Sequence, residues 1–259
     1  MYNLFKKVFT MIVPKDWIQN HQSTFRKLLY IFYWGNKYQC NICLKKLRSF
    51  IQTKDENTLC PYCASLSRTR RLWDIIEKFY LKENLTVLDF SPSKSIYQKW
   101  KSLNGLNYYS SDYENEFVAD YKFDIRNITM PDQFFDLIVC YHVLEHIEDD
   151  QSAIQELYRV LKNRGTCIIQ CPFKEGDIFE DFSIRTEADR LTHYGQKDHV
   201  RIYTAQGLKQ RMEKAGFGVV INTFSNEDPN IHSFKRNEQV LICSKLIEVV
   251  PPGLEPGTL

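Results

Sequence analysis

The sequence predicts an α/β protein in which a doubly wound, mainly parallel sheet follows a small module built on four cysteines. Three observations lead there. From residue 70 onward, short apolar runs that end in an acid or a polar loop alternate with stretches of helical periodicity, the order of elements that folds helices onto both faces of a parallel sheet. Two Cys-x-x-Cys pairs stand directly before that region. With 259 residues and 43% hydrophobic side chains, the chain is long enough for one substantial domain and a small attachment.

Residues 1–36 read as a basic amphipathic arm. Lys6, Lys7, Lys15, Arg26 and Lys27 mix with Trp17, Phe25, Leu28, Leu29, Ile31 and Phe32, against Asp16 alone as an acid. Such a composition suits a helix lying on a membrane surface or binding a partner; the plainer reading is a helix packed on the main domain. The apolar run Leu28–Trp34 is far short of the roughly 20 residues that a membrane span needs, and no small-residue cleavage site follows it. The chain is therefore expected to remain in the cytoplasm. Its 34 basic and 32 acidic side chains leave +2, a balance that neither requires nor excludes a nucleic-acid partner.

Residues 37–69 hold the cysteines. Cys40 and Cys43 are separated by two residues, as are Cys60 and Cys63, with sixteen residues between the pairs. Each turn aims two sulfurs at one point, and a spacer of that length forms a hairpin that brings the turns face to face around a tetrahedral zinc. Four buried but unrelated cysteines would not need this spacing, and a redox pair would not need its second copy. Four thiolates leave no open coordination position, so the zinc is expected to be structural. Arg68, Arg70 and Arg71 follow at once, placed either to contact phosphate or to solvate the start of the next helix.

The main domain spans residues 70–246. Leu72, Ile75, Ile76 and Phe79 recur at helical spacing, and LTVLDF (85–90) is a buried parallel strand by its unbroken apolar run. Further strands are predicted at 106–112, 134–142, 166–173, 217–224 and 239–245. Residues 149–165 form an amphipathic helix with Ile154, Leu157, Tyr158 and Leu161 on one face, ended by Gly165. Thr204 caps another helix, which stops at Gly216. The Pro- and Gly-rich segment 247–259 is expected to be an unstructured tail. Sheets of this type bind ligands at the carboxyl ends of their strands, which singles out Asp89 and its loop, Asp112, and the segment Cys140–His146.

The stretch FFDLIVCYHVLEHIEDDQSAIQELYRVLKNRGTCIIQCPF closely resembles class I S-adenosylmethionine-dependent methyltransferases of the type 11-like group. The resemblance extends to a bacterial subgroup with a zinc knuckle before the catalytic domain, on CPYCASLSRTRR and YGQKDHVRIYTAQGLKQRMEKAGF, and so covers about residues 36–245. It implies the seven-stranded, Rossmann-like sheet of that class, S-adenosylmethionine as cofactor, and the following sites. Asp89, with Phe90, Ser91 and Ser93, approaches the methionine end of the cofactor. Asp112, with Tyr113, holds the ribose hydroxyls; Asp124 and Ile125 flank the adenine. Cys140, Tyr141 and His142 face the sulfonium.

Methyl transfer is an in-line displacement that needs alignment, exclusion of water and, for an oxygen nucleophile, removal of a proton. His142 at a strand end is the favoured base, with Glu145, His146 and His199 as further candidates. Asp198, His199 and Arg201 either line the acceptor pocket or pin their loop by an ion pair; Arg190, Tyr194 and Gln196 are weaker candidates. A small-molecule or glycan hydroxyl is the expected acceptor. The competing readings are an RNA methyltransferase that grips substrate through the knuckle, and a non-catalytic scaffold whose cofactor loop has decayed. In that loop Ser91, Ser93 and Ser95 occupy the places of the family's glycines, and Pro92 is expected to bias Ser91 toward an extended conformation, away from the glycine turn.

Overall fold

The computed structural model describes residues 24–53, 57–225 and 229–245; most of the basic arm and the tail lie outside them. No helix among the described residues is long and apolar enough to cross a membrane. The chain forms two compact units. One draws on Met1–Glu83, Pro92–Leu106 and Thr223–Glu238, the other on Asn84–Ser91, Asn107–Asn222 and Gln239–Leu259, in each case within the described residues.

In the first unit, residues 24–31 are helical. Tyr30 packs edge-on against Tyr62 with ring centres 5.5 Å apart, while Leu28, Ile31 and Phe32 of the same segment are exposed. Two short antiparallel ladders follow, β1 (Trp34–Gln39) with β2 (Lys46–Leu47) and β3 (Ile51–Gln52) with β4 (Thr58–Leu59). Helices α1 (Ser67–Phe79) and α2 (Lys94–Lys101) complete the unit, joined through Trp73 and Trp100, both fully buried and packed edge-to-face at 5.2 Å. Of the apolar face predicted for α1, Leu72, Ile75 and Ile76 are buried, but Phe79 is exposed.

For Arg70 and Arg71 both sequence readings fail, since both are buried, whereas Arg68 stays partly exposed. The Arg70 guanidinium donates to the carbonyls of Thr58, Ser65, His232 and Ser233 at 2.6–3.3 Å. Arg71 lies over the Phe224 and Phe234 rings at 4.2 and 4.1 Å and pairs with Glu238 at 3.7 Å. A buried guanidinium needs such acceptors, since desolvation is otherwise costly.

Glu238 also yields a pH dependence. Burial raises its carboxyl to about 7, against the pull of Arg71, so its folded value lies above its unfolded value of about 4.3. The fold then binds the proton more tightly than the unfolded chain does. Its contribution is fully present below about pH 4 and declines as pH rises through about 7, by on the order of 3 kcal/mol. Glu238→Gln should flatten that part of the stability curve, read as melting temperature at about pH 5 and about pH 8. A variant that keeps the wild-type slope would assign the dependence elsewhere.

The second unit contains the central sheet. Its strands are β5 (Thr86–Phe90), β6 (Asn107–Ser111), β7 (Phe135–Tyr141), β8 (Leu161–Gln170), β9 (Phe217–Phe224) and β10 (Glu238–Lys245), in the order β6-β5-β7-β8-β10-β9. β6, β5, β7 and β8 run parallel, and β10 is antiparallel to β8. Every residue of β5 is buried, as its unbroken apolar run requires of a strand covered on both faces. Helices α3 (Asp150–Val160), α4 (Glu187–Tyr194) and α5 (Ala205–Lys214) belong to the same unit. Leu157 and Leu208 from α3 and α5 join Leu88, Ile138 and Ile169 in its core.

Six strands stand where the resemblance implied seven. After β6 the chain makes one parallel bridge, Ser111 to Tyr121, and reaches β7 without a further strand among the described residues. The helix predicted to run to Gly165 ends at Val160. Leu161 pairs with Phe135 and opens β8, and Gly165 lies within that strand. A fully buried Leu161 satisfies the helical period and the strand alike, and pairing with β7 decides between them. Thr204 caps α5 as expected, its side chain accepting from Gly207 N, and Gly216 takes a φ of +102° beyond it.

Candidate functional site

Strands β5 and β7 each hand over to a loop through a residue at positive φ: Ser91 at +48° and His142 at +57°. Such a conformation costs a non-glycine residue on the order of 1 kcal/mol or more, so surrounding bonds must hold it. Ser91 N donates to Ser111 O at 2.7 Å and its Oγ to Asp112 Oδ1 at 2.8 Å. The expectation that Pro92 would keep Ser91 extended is therefore wrong. Two bonds to the end of β6 outweigh the local bias, and the serine adopts the backbone that a glycine would supply. His142 N donates to Gln170 O at 2.8 Å, tying its bend to β8.

These bends open a cavity of about 510 Å³, within the range of small-molecule sites. Phe90, Ser91, Asp112 and Tyr113 line it from the ends of β5 and β6, and Asp124 and Ile125 from the long segment that follows. His142 and His146 line it from the loop after β7. Asp112 is fixed twice over, with Oδ1 accepting from Ser91 and Oδ2 from Phe117 N at 3.0 Å. Asp124 accepts from Arg126 Nε and Nη2 at 3.0 and 2.7 Å, and that hydrogen-bonded guanidinium lowers its carboxyl below the usual range.

The other predicted residues stand elsewhere. Asp89 is buried in β5 and accepts from the Tyr108 hydroxyl at 3.2 Å. Cys140 is fully buried in the core, where desolvation pushes its thiol up, and neither it nor Tyr141 is part of the cavity wall. Ser93 belongs to the first unit as the residue before α2; it lines a different cavity, with Arg26, Lys27, Tyr62 and Lys94.

Glu145, at the 3-10 turn Leu144–His146, is 1% exposed. Burial opposes its charge, but the bond from His142 Nδ1 to Oε1, 3.2 Å, brings its pKa below the ordinary carboxylate value. His146 pairs through Nδ1 with Asp198 Oδ2 at 3.3 Å and meets His199 edge-on, ring centres 4.7 Å apart. Burial, and then the proximity of His146, lower the His199 pKa, which keeps that imidazole neutral at neutral pH. Arg201, 1% exposed, pins its loop: it pairs with Glu180 at 2.9 Å and donates to the carbonyls of Leu144, Ile147 and Glu148. Arg190 lines the cavity paired to Glu148 at 3.1 Å; Tyr194 is buried and Gln196 exposed.

Sequence reading missed Glu114, Glu116, Phe117, Arg126 and Glu148, all on the cavity wall. The one signal they offer is the acidic and aromatic stretch just past β6, residues 112–120, which holds Tyr113 and Phe117 among four acids.

In the first unit the four cysteines converge. Cys40 Sγ lies 3.7 Å from Cys63 Sγ and Cys43 Sγ 3.7 Å from Cys60 Sγ, and all four fall within 4.8 Å of one another. Bonds of about 2.3 Å to a tetrahedral zinc set sulfurs about 3.8 Å apart, so the spacing fits that ion. The two turns repeat one geometry. Leu44 and Ala64, each next after a second cysteine, have φ of +60° and +63° and donate back to Cys40 O and Cys60 O.

A family model for a methyltransferase domain matches residues 65–221, more than half of the chain. An uncharacterized protein of Methanocaldococcus jannaschii is 37% identical over 65 residues; the match covers 24% of this chain and 28% of that relative's length. Among solved structures, the chain is similar to one from the complex between the Haloferax volcanii Trm112 methyltransferase activator and a candidate methyltransferase. That match has 11% identity and a TM-score of 0.50, covering 68% of this chain and 89% of the other. A SAM-dependent methyltransferase of Archaeoglobus fulgidus matches with 17% identity and a TM-score of 0.49, covering 68% and 91%. The extent of the family match, together with the parallel sheet and the cavity at its strand ends, leads to one conclusion: the chain belongs to the methyltransferase-domain family.

Proposed function

We propose that the protein transfers a methyl group from S-adenosylmethionine to a hydroxyl of a small molecule or glycan, and that its knuckle holds a structural zinc. The observation that carries the first reading is the cavity itself, in which Asp112, steered by Ser91, opens on the same space as Asp124 and His142. The residues present fit the cofactor. Each Asp112 oxygen accepts one protein hydrogen bond and keeps a lone pair for a ribose hydroxyl. The wall carries Asp112, Glu114, Glu116, Asp124, Glu148 and Asp198 against Arg126 and Arg190, a balance suited to a cation.

Bound there, S-adenosylmethionine supplies a methyl group on a cationic sulfur. Asp112 would hold the ribose, and Asp124 with Ile125 the adenine. Phe90 and Ile147 exclude water from the apolar side. His142, kept in place by Glu145, would take the proton of the acceptor hydroxyl. In the knuckle, Arg70 places one buried positive charge near the thiols, and so offsets part of the net negative charge of a zinc with four thiolates.

One observation favours a second reading, an RNA methyltransferase. In the first unit a cavity of about 430 Å³ is lined by Arg26, Lys27 and Lys94 beside Tyr62, cations and a ring of the kind that hold a nucleic-acid strand; the buried Arg70 and Arg71 do not serve it. Salt-sensitive RNA binding lost in Lys27→Ala/Lys94→Ala would support that reading.

Calorimetry tests the cofactor. S-adenosylmethionine should bind the full chain, and Asp112→Ala should weaken binding about 10- to 100-fold, the loss of one or two charge-assisted hydrogen bonds. No heat with the cofactor or its demethylated product would leave the scaffold reading standing and sink both enzyme readings.

A further inference from the structure

We propose that Glu145, His146 and His199 form a second metal site, for a divalent transition ion held at the edge of the cofactor cavity. One potential ligand atom from each of the three lies within 4.8 Å of the other two, a spacing that one ion closes with small side-chain rotations. Two imidazoles and a carboxylate are a ligand set for Zn²⁺, Fe²⁺, Co²⁺ or Mn²⁺ that leaves coordination positions open.

Three further observations agree. Glu145 is 1% exposed, and its Oε2 meets no nitrogen or oxygen donor, the buried Cys171 thiol being a weak donor to the carboxylate. A buried carboxylate oxygen left in this state is destabilising unless something positive meets it. The outer partners are also in place. Asp198 Oδ2 lies 3.3 Å from His146 Nδ1 and His142 Nδ1 lies 3.2 Å from Glu145 Oε1, the pattern that fixes a ligating imidazole in one tautomer and steadies a ligating carboxylate. Finally, His146, one of the three, lines the cavity with His142 and Asp198, which places the ion at the edge of the space where an acceptor would sit.

The ion's use follows from the methyltransferase reading and depends on it: it would bind the acceptor oxygen and position it beside the methyl donor. An acceptor that chelates, such as a vicinal diol or a catechol, would be preferred over an isolated alcohol.

Cobalt(II) added to the full chain with its knuckle zinc in place tests the site. The expected result is one further equivalent bound with weak visible d–d bands and no thiolate charge-transfer band. His199→Asn and Glu145→Gln should weaken that binding by more than about 100-fold, beyond the 10- to 100-fold lost with an outer partner alone. His146→Ala, at a partly exposed position, gives the same readout at less risk to folding, and unchanged knuckle zinc in each variant excludes general unfolding. Absence of a further equivalent, a thiolate band as its only signature, or equal binding by the variants overturns the site. Cofactor calorimetry on the same sample separates the two proposals. Cofactor heat without cobalt binding removes the metal site alone, and cobalt binding without cofactor heat removes the methyl-donor reading alone.

Discussion

Replacing Cys60 with Ser, or stripping the protein with a strong chelator, is expected to unfold the cysteine unit and to release about one equivalent of zinc per chain. Cys40 and Cys60 are fully buried, and the ladders beside them have two-residue strands at β2, β3 and β4. Elements this short do not hold together by pairing. Structural zinc contributes apparent binding free energies of about 10–16 kcal/mol, comparable to the whole stability of a typical domain, about 5–15 kcal/mol. Without the ion, two pairs of thiols 3.7 Å apart would retain weak hydrogen bonds alone. The consequence extends to α1, because Arg70 is anchored on the carbonyls of Thr58 and Ser65, next to the second cysteine pair. Metal analysis and thermal melting check this. Fresh protein with less than about half an equivalent of zinc, or a melting curve indifferent to chelation, would count against the site.

Arg201→Met is expected to destabilise the sheet unit by about 3–5 kcal/mol, the cost of breaking a buried pair and stranding its partners. The side chain is 1% exposed and contacts Glu180 and three carbonyls of the loop 144–148. Its removal takes a donor from each of those carbonyls, of which Leu144 O still accepts from Ile147 N at 3.2 Å, and leaves Glu180 held by Arg211 alone. For a chain of this size the loss corresponds to a fall of roughly 10 °C in melting temperature. Because the same carbonyls belong to the loop that bears Glu145 and His146, cofactor or acceptor binding should weaken in parallel, even well below the melting point. Arg185→Met, at an exposed position, serves as the control. An Arg201 variant that melts with the control would show that the loop is held by other contacts.

Local patterns carried much of the fold. The runs at 85–90, 134–142 and 239–245 became β5, β7 and β10 to within a residue or two, because the centre of each is an apolar run that a covered strand buries. Thr204 and Gly216 marked the ends of α5 because capping and positive φ are decided within a few residues. Errors came where two elements compete for one segment. Leu161 suits a helix and a strand alike, and the missing strand after β6 leaves a long segment whose acids face a cavity instead of a turn.

By itself the sequence determined the alternating α/β order, the paired cysteine turns and the acids at the ends of β5 and β6, all set by spacing along the chain. Tertiary structure alone decided which of the marked residues meet. Ser91 and Ser93 are two residues apart, yet one binds Asp112 and the other lines a basic cavity in the other unit. Arg70 and Arg71 look like solvated or phosphate-binding charges, yet both are buried, because carbonyls and an acid distant in sequence replace their water. Glu145 and His199 are brought within ligand distance across more than fifty residues. In each case the deciding energy is a hydrogen bond, an ion pair or a desolvation that depends on a distant segment, and no local pattern encodes it.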